Sequence, residues 1–139
     1  MADRSFITFD QAQAAIKAMS EKATQPPAAP VAMTIVDEAG NQIAYAQMDN
    51  LRLFSRRHSQ RKAYTSAIMG TDSGAHGDRL KGQGRSISDM GDRNLTPGQG
   101  GVVVLSKDGV IMGGIGVGGY PSGQADEDLA RVGLAAMNL

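Results

Sequence analysis

Arg56, Arg57, His58, Arg61 and Lys62 fall within seven residues, shortly after Arg52. If this stretch is helical, Arg57, Arg61 and Tyr64 share one face, while Phe54, His58, Lys62 and Thr65 share an adjacent one. Two guanidinium groups one turn apart can grip a carboxylate or phosphate bidentately. Arg57 and Arg61 are therefore candidate ligand-binding residues. The alternative is a solvated helix surface, or ion pairs with an acidic helix elsewhere in the chain. His58, Tyr64 and Lys62 are the candidate catalytic groups, able to move a proton in a lyase or isomerase type of reaction. The neighbouring cations should lower the pKa of His58 and oppose its protonation.

Only two histidines occur, His58 and His76. Either could ligate a metal or haem iron, and they are the candidate metal residues. The eight methionines are scattered and read mostly as core filler. With no cysteine, disulfides, thiolate catalysis, zinc fingers and iron–sulfur clusters are excluded. No nucleophile elbow, P-loop or H-E-x-x-H pattern is present.

Gly114, Gly116 and Gly119 match G-x-G-x-x-G within "MGGIGVGGYPSG" (112–123). A dinucleotide fingerprint needs a parallel βαβ unit and an acidic residue about 20 residues further on. Here the glycines lie on the return arm of a hairpin, and the segment after Gly119 reads as one helix with no second strand. Two readings remain. In one, the glycines at 113, 114, 116, 118 and 119, bare on both faces, let a helix or a partner subunit approach the sheet closely. In the other, a ligand approaches the backbone at Gly114 and Gly116, near the N-terminus of the last helix.

The elements that must position these groups follow from pattern. Residues 8–24 form an amphipathic helix, with the capping-box pair Thr8 and Gln11 and the stripe Phe9, Ala12, Ile16, Met19 and Ala23. Pro26 and Pro27 close it. "VAMTIVDE" (31–38) and "QIAYAQMD" (42–49) form a hairpin around "AGN". Residues 53–70 are helical, with Ser55 as cap and Gly70 just past the C-terminus. Residues 71–100 carry no sustained period and read as a long functional or mobile loop. A second hairpin pairs Val102–Leu105 with 110–117 across Asp108-Gly109. A final helix spans 124–138, with Asp126, Glu127 and Asp128 at its positive end and Leu129, Val132, Gly133, Ala136 and Met137 buried. The order predicts a single α+β domain over 1–139, an α/β sandwich of antiparallel sheet flanked by helices.

The totals agree with a soluble domain of 139 residues, 41% hydrophobic and 20% charged. Fourteen basic residues balance fourteen acidic ones, and aromatic residues make up 4%, which disfavours nucleic acid as a partner. The start, "MADRSFITFD", is charged and carries no apolar run, so no secretion signal or membrane partner is expected and the cytoplasm is the expected location. Eighteen glycines thin the core, so a homo-oligomer is expected.

The chain resembles the GlcG/HbpS group, small haem-binding or haem-degrading-associated domains also found as the C-terminal part of PduO proteins. The resemblance rests on "VAMTIVDEAGNQIAYAQMDN", "RKAYTSAIMG", "GGVVVLSKDGVIMGGIGVGG" and "ADEDLARVGLAAM", in matching order over about two thirds of the chain. It implies a profilin-like sandwich, dimers to octamers, and binding of haem or another small molecule, with some relatives resembling small lyases that act on aromatic acids in catabolism. It makes Lys62 and Thr65, in the family's "KAxT" segment, pocket residues. The chain departs from the family in "SRRHSQRKA" and in a loop bearing Arg79, Lys81, Arg85 and Arg93. Those departures favour a smaller carboxylated ligand, although haem propionates could also meet the arginines.

Overall fold

The computed structural model describes residues 6–139, so the charged start at Asp3 and Arg4 lies outside the described residues. Nine elements follow one another: α1 (Phe9–Ala23), β1 (Ala32–Asp37), β2 (Gln42–Gln47), α2 (Leu53–Met69), α3 (Ser73–Gly82), a 3-10 turn (Ile87–Met90), β3 (Gly101–Leu105), β4 (Ile111–Gly118) and α4 (Gly123–Ala136). The four strands make one antiparallel sheet in the order β2-β1-β4-β3. The expected α+β sandwich is the architecture found.

Each face of the sheet has its own chemistry. Met33, Ile35, Val102, Val104, Ile115 and Val117 point to one side and form the apolar core with α1 and α4. On the other side, α2 lies along β4 and overlaps β1 and β3. There β4 contributes Gly114, Gly116 and Gly118, while Ile115 and Val117 face the core. Strand periodicity of two puts these glycines on one face, so they are bare on that face only.

That bare row is what lets α2 settle on the sheet. A Cβ on Gly114 would run into the Ala63 carbonyl, one on Gly116 into the Ser59 carbonyl, and one on Gly118 would stand 2.6 Å from the Ser55 carbonyl. The helix answers with small residues at four-residue spacing: Ser55, Ser59 and Ala63 are all buried. The two serine hydroxyls are paired: Ser55 Oγ accepts from Arg52 Nε at 3.3 Å, and Ser59 Oγ lies 2.9 Å from Thr34 Oγ1. This is why α2 reads as weakly amphipathic: its inner face is small and polar rather than large and apolar.

Four expectations need correction. Ser55 is not the cap of α2; Arg52 holds that position without a side-chain cap, and Ser55 is packed inside. Phe9, expected in the buried stripe of α1, is 76% exposed, because the stripe turns at Ala12, Ala15 and Met19 instead. Val132 and Ala136 are only part-buried in α4. The segment 71–100 is not a bare loop: it holds α3 and the 3-10 turn. Helix α3 escapes a periodicity search because its inner face rests on Ser73, His76 and Leu80 among small residues.

Candidate functional site

An open cleft of about 340 Å³ lies between α2 and the turn joining β1 to β2. Helix α2 supplies Arg57, Gln60, Arg61 and Tyr64; the turn supplies Ala39, Gly40 and Asn41; Thr34 and Val36 of β1, Gln42 of β2 and Asn94 complete the lining. Two features shape it. The Asp37 carboxylate accepts from the Ala39 and Asn41 N–H groups, each at 2.9 Å, and fixes the turn. Gly40 then takes a left-handed φ of 82°, and its missing side chain makes room for the Tyr64 ring, which would lie 2.6 Å from a Cβ there.

The Tyr64 hydroxyl donates to Asp92 Oδ2 at 2.6 Å, and Asp92 Oδ1 accepts the Asn94 N–H at 2.9 Å. This ties the loop before β3 onto α2 and brings Asn94 to the cleft. The bond to Asp92 raises the Tyr64 pKa and lowers that of Asp92. At neutral pH the phenol keeps its proton and the carboxylate is ionised.

Arg57 and Arg61 face this cleft together with Tyr64, on the helical face their spacing predicts. Among the described residues neither forms an ion pair or a side-chain hydrogen bond. Two guanidinium groups with no carboxylate partner, beside the amides of Asn41, Gln42, Gln60 and Asn94, make an anion-accepting surface.

The other candidate residues lie elsewhere. Lys62 is buried under α2; its Nζ sits 2.8 Å from Asp126 Oδ2 and donates to the Val117 carbonyl at 2.9 Å. Burial pushes the Asp126 carboxyl up, opposed by Lys62 and by the Tyr120 N–H. This is the ion pair with the acidic last helix, made by Lys62 and not by Arg57 or Arg61. Thr65 is buried and accepts the Thr96 N–H at 2.9 Å. Gly114 and Gly116 are covered by the backbone of α2, so the bare strand is filled by a helix.

His58 is half-buried and stacks on Phe54, with ring centroids 4.8 Å apart. Burial, then Lys62 and Arg61, pull its pKa down to about 4, so the imidazole is neutral near pH 7. Its Nε2 lies against the loop, 2.7 Å from where a Cβ on Gly98 would stand. His76 is buried in α3. Its Nδ1 is 3.0 Å from Arg79 Nη2, which donates, so the remaining proton sits on Nε2, without a partner among the described residues. Burial, Arg79 and Arg85 hold the His76 pKa below the usual histidine value. Among the described residues, no three His, Asp or Glu side chains gather into a group that could hold a metal ion.

Sequence reasoning missed Gln60, the turn residues Ala39, Gly40 and Asn41, Gln42 of β2, and the pair Asp92 and Asn94. Gln60 was accessible from spacing, three residues after Arg57 and four before Tyr64. The others come from distant segments, and no local pattern announces them.

A four-stranded antiparallel sheet with α2 buried on its glycine face and an open cleft beside it defines a small α/β sandwich with a ligand-sized site. Residues 7–135 match the model of the family described as haem degrading protein HbpS-like, and the chain belongs to that family. It is similar to HbpS of Streptomyces reticuli, solved as a double mutant: 28% identity, TM-score 0.85, covering 97% of this chain and 89% of that one. It is equally similar to PduOC, solved as a heme complex: 27% identity, TM-score 0.85, with 96% of each chain covered. The corrinoid adenosyltransferase PduO of Salmonella typhimurium is 30% identical over 114 residues, 79% of this chain but 33% of that protein. The match thus spans about a third of that relative's length. No described helix is long and apolar enough to cross a membrane.

Proposed function

We propose that this chain is a cytoplasmic, homo-oligomeric small-molecule binder that holds a carboxylate-bearing ligand in the cleft between α2 and the β1–β2 turn. The observation that carries the reading is the pair Arg57 and Arg61, turned into that cleft with no acidic partner among the described residues. Lysines and arginines on a domain surface are ordinary; two on one wall of a concave polar site are a carboxylate grip. Leu53 and Phe54, 61% and 56% exposed in the first turn of α2, support an oligomer, whose size light scattering reads. If lyase or isomerase chemistry follows binding, Tyr64 is the titratable group of the lining, and its proton is held by Asp92. Lys62 is committed to Asp126, and His58 is too weak a base for the task at neutral pH.

The test is a melting and calorimetric titration with aromatic and aliphatic monocarboxylates, chiefly benzoate and hexanoate. Binding that raises the melting temperature, and that Arg57→Ala with Arg61→Ala removes, supports the reading. Binding that survives the double substitution, or no binding by either series, overturns it.

Haem is the second reading, favoured by the likeness to the PduOC heme complex. A neutral, half-buried imidazole with no hydrogen-bond partner among the described residues fits an iron ligand at His58 once the Gly98 loop clears its Nε2, and the arginines suit propionates. His76 does not fit: it is 1% exposed, leaving no approach for a macrocycle. Titration with hemin should give a Soret shift that His58→Ala abolishes and His76→Ala leaves; no shift removes this reading.

A further inference from the structure

The cleft is polarised. Arg57, Arg61 and Tyr64 follow one another along its α2 wall, and the Asp92 carboxylate, just outside the lining, is fixed on the Tyr64 hydroxyl and the Asn94 N–H. The Tyr64 proton is already committed to Asp92 at 2.6 Å. Toward a ligand, the phenolic oxygen therefore offers lone pairs and no donor. A group arriving at the Tyr64 end must bring its own O–H or N–H, and a second carboxylate there would meet the charge that Asp92 holds on the Tyr64 hydroxyl.

Resting on the carboxylate reading above, we propose that Tyr64 and Asp92 make the cleft select hydroxy-monocarboxylates, rejecting dicarboxylates and disfavouring carboxylates without a donor. Arg57 and Arg61 hold the carboxylate. The ligand hydroxyl donates into the Tyr64–Asp92 end, and Asp92 acts as a specificity residue through its charge.

The experiment compares matched ligands by calorimetry. One set is benzoate, 3- and 4-hydroxybenzoate, isophthalate and terephthalate; the other is hexanoate, 6-hydroxyhexanoate and adipate. In the unaltered protein the better hydroxy acid of a set should bind about three- to tenfold tighter than its parent, the effect of one added hydrogen bond. The dicarboxylates should bind about tenfold weaker than the parent. Asp92→Asn removes the charge and leaves one amide oxygen to serve either the Tyr64 hydroxyl or the Asn94 N–H, so it should restore dicarboxylate binding to within about threefold of the parent. Tyr64→Phe should erase the hydroxy-acid advantage while benzoate or hexanoate still binds. Melting curves of both variants verify that they are folded. Hydroxy acid and parent binding equally, dicarboxylates binding as well as the parent, or Asp92→Asn leaving the ranking unchanged would each overturn the inference while leaving the carboxylate reading intact. If none of these acids binds, both fall together.

Discussion

Lys62 Nζ and Asp126 Oδ2 lie 2.8 Å apart with side-chain exposures of 4% and 5%, joining α2 to α4 past the end of β4. Each partner makes one further bond: Lys62 also donates to the Val117 carbonyl, and Asp126 Oδ1 accepts the Tyr120 N–H at 3.0 Å. The bare Gly100 backbone lies against both side chains. The pair links the two helical layers across the sheet, and it makes Lys62 a structural group.

Removing one partner should therefore cost more than removing both. Asp126→Ala strands a buried ammonium and should destabilise the fold by about 3–5 kcal/mol. The double variant Lys62→Met with Asp126→Leu should lose less than Asp126→Ala alone, because it strands no charge. Guanidinium unfolding at pH 7 measures both. An Asp126→Ala protein within about 1 kcal/mol of the parent would show that Lys62 finds another partner or reaches water.

The glycine row makes a second, sharper claim. A Cβ on Gly116 would meet the Ser59 carbonyl and the Ala63 N–H, both backbone atoms that cannot turn aside. Gly116→Ala should cost about 1–3 kcal/mol, since α2 must lift from the sheet. Gly82, in the last turn of α3, has nothing within 4 Å of a Cβ. Gly82→Ala should instead gain about 0.4–1 kcal/mol. Equal melting temperatures for the two variants would contradict the close packing of α2 on β4.

How much was legible follows from which forces were local. The capping box of Thr8 and Gln11, the αL residue Gly70 after α2 and the Asp108-Gly109 turn are short-range signals, and each appears where its residues predict it. The face shared by Arg57, Arg61 and Tyr64 is helical geometry and is equally local. The role of the glycines was half legible. The alternation Gly114, Ile115, Gly116, Val117, Gly118 carries the strand period, but only the fold says that a helix covers the bare side. Helix α3 and Asp92 were illegible because tertiary partners fix them. His76 and Leu80 are apolar anchors only once buried, and Asp92 finds Tyr64 across 28 residues.

Asp72 closes the outer edge of β3. Its Oδ1 accepts the Val103 N–H at 3.0 Å and its Oδ2 accepts from Arg131 at 2.6 Å. A strand edge left open is a pairing hazard, so this side chain serves the sheet although it stands at the start of α3. Asp72→Ala should cost about 1–2 kcal/mol and speed hydrogen exchange at the Val103 amide. Arg131→Ala should cost less than about 1 kcal/mol, because its pairs with Asp72 and Glu127 are half-exposed. Unchanged exchange at Val103 in Asp72→Ala would refute the edge-capping role.

His58 gives the fold a defined acid sensitivity. Its native pKa is pulled from 6.5 to about 4 by burial and by Lys62 and Arg61. Between those values the unfolded chain binds the proton and the folded chain does not. Stability therefore rises with pH through this window, and the penalty from His58 is absent above it and complete below about pH 4. The half-exposed ring keeps the effect modest, as solvent screens the cations. His58→Gln should consequently lose less melting temperature than the parent between pH 7 and pH 4.5, with the two curves parallel above pH 7. Scanning calorimetry across that range decides it; an equal drop in both proteins would assign the acid sensitivity to other groups.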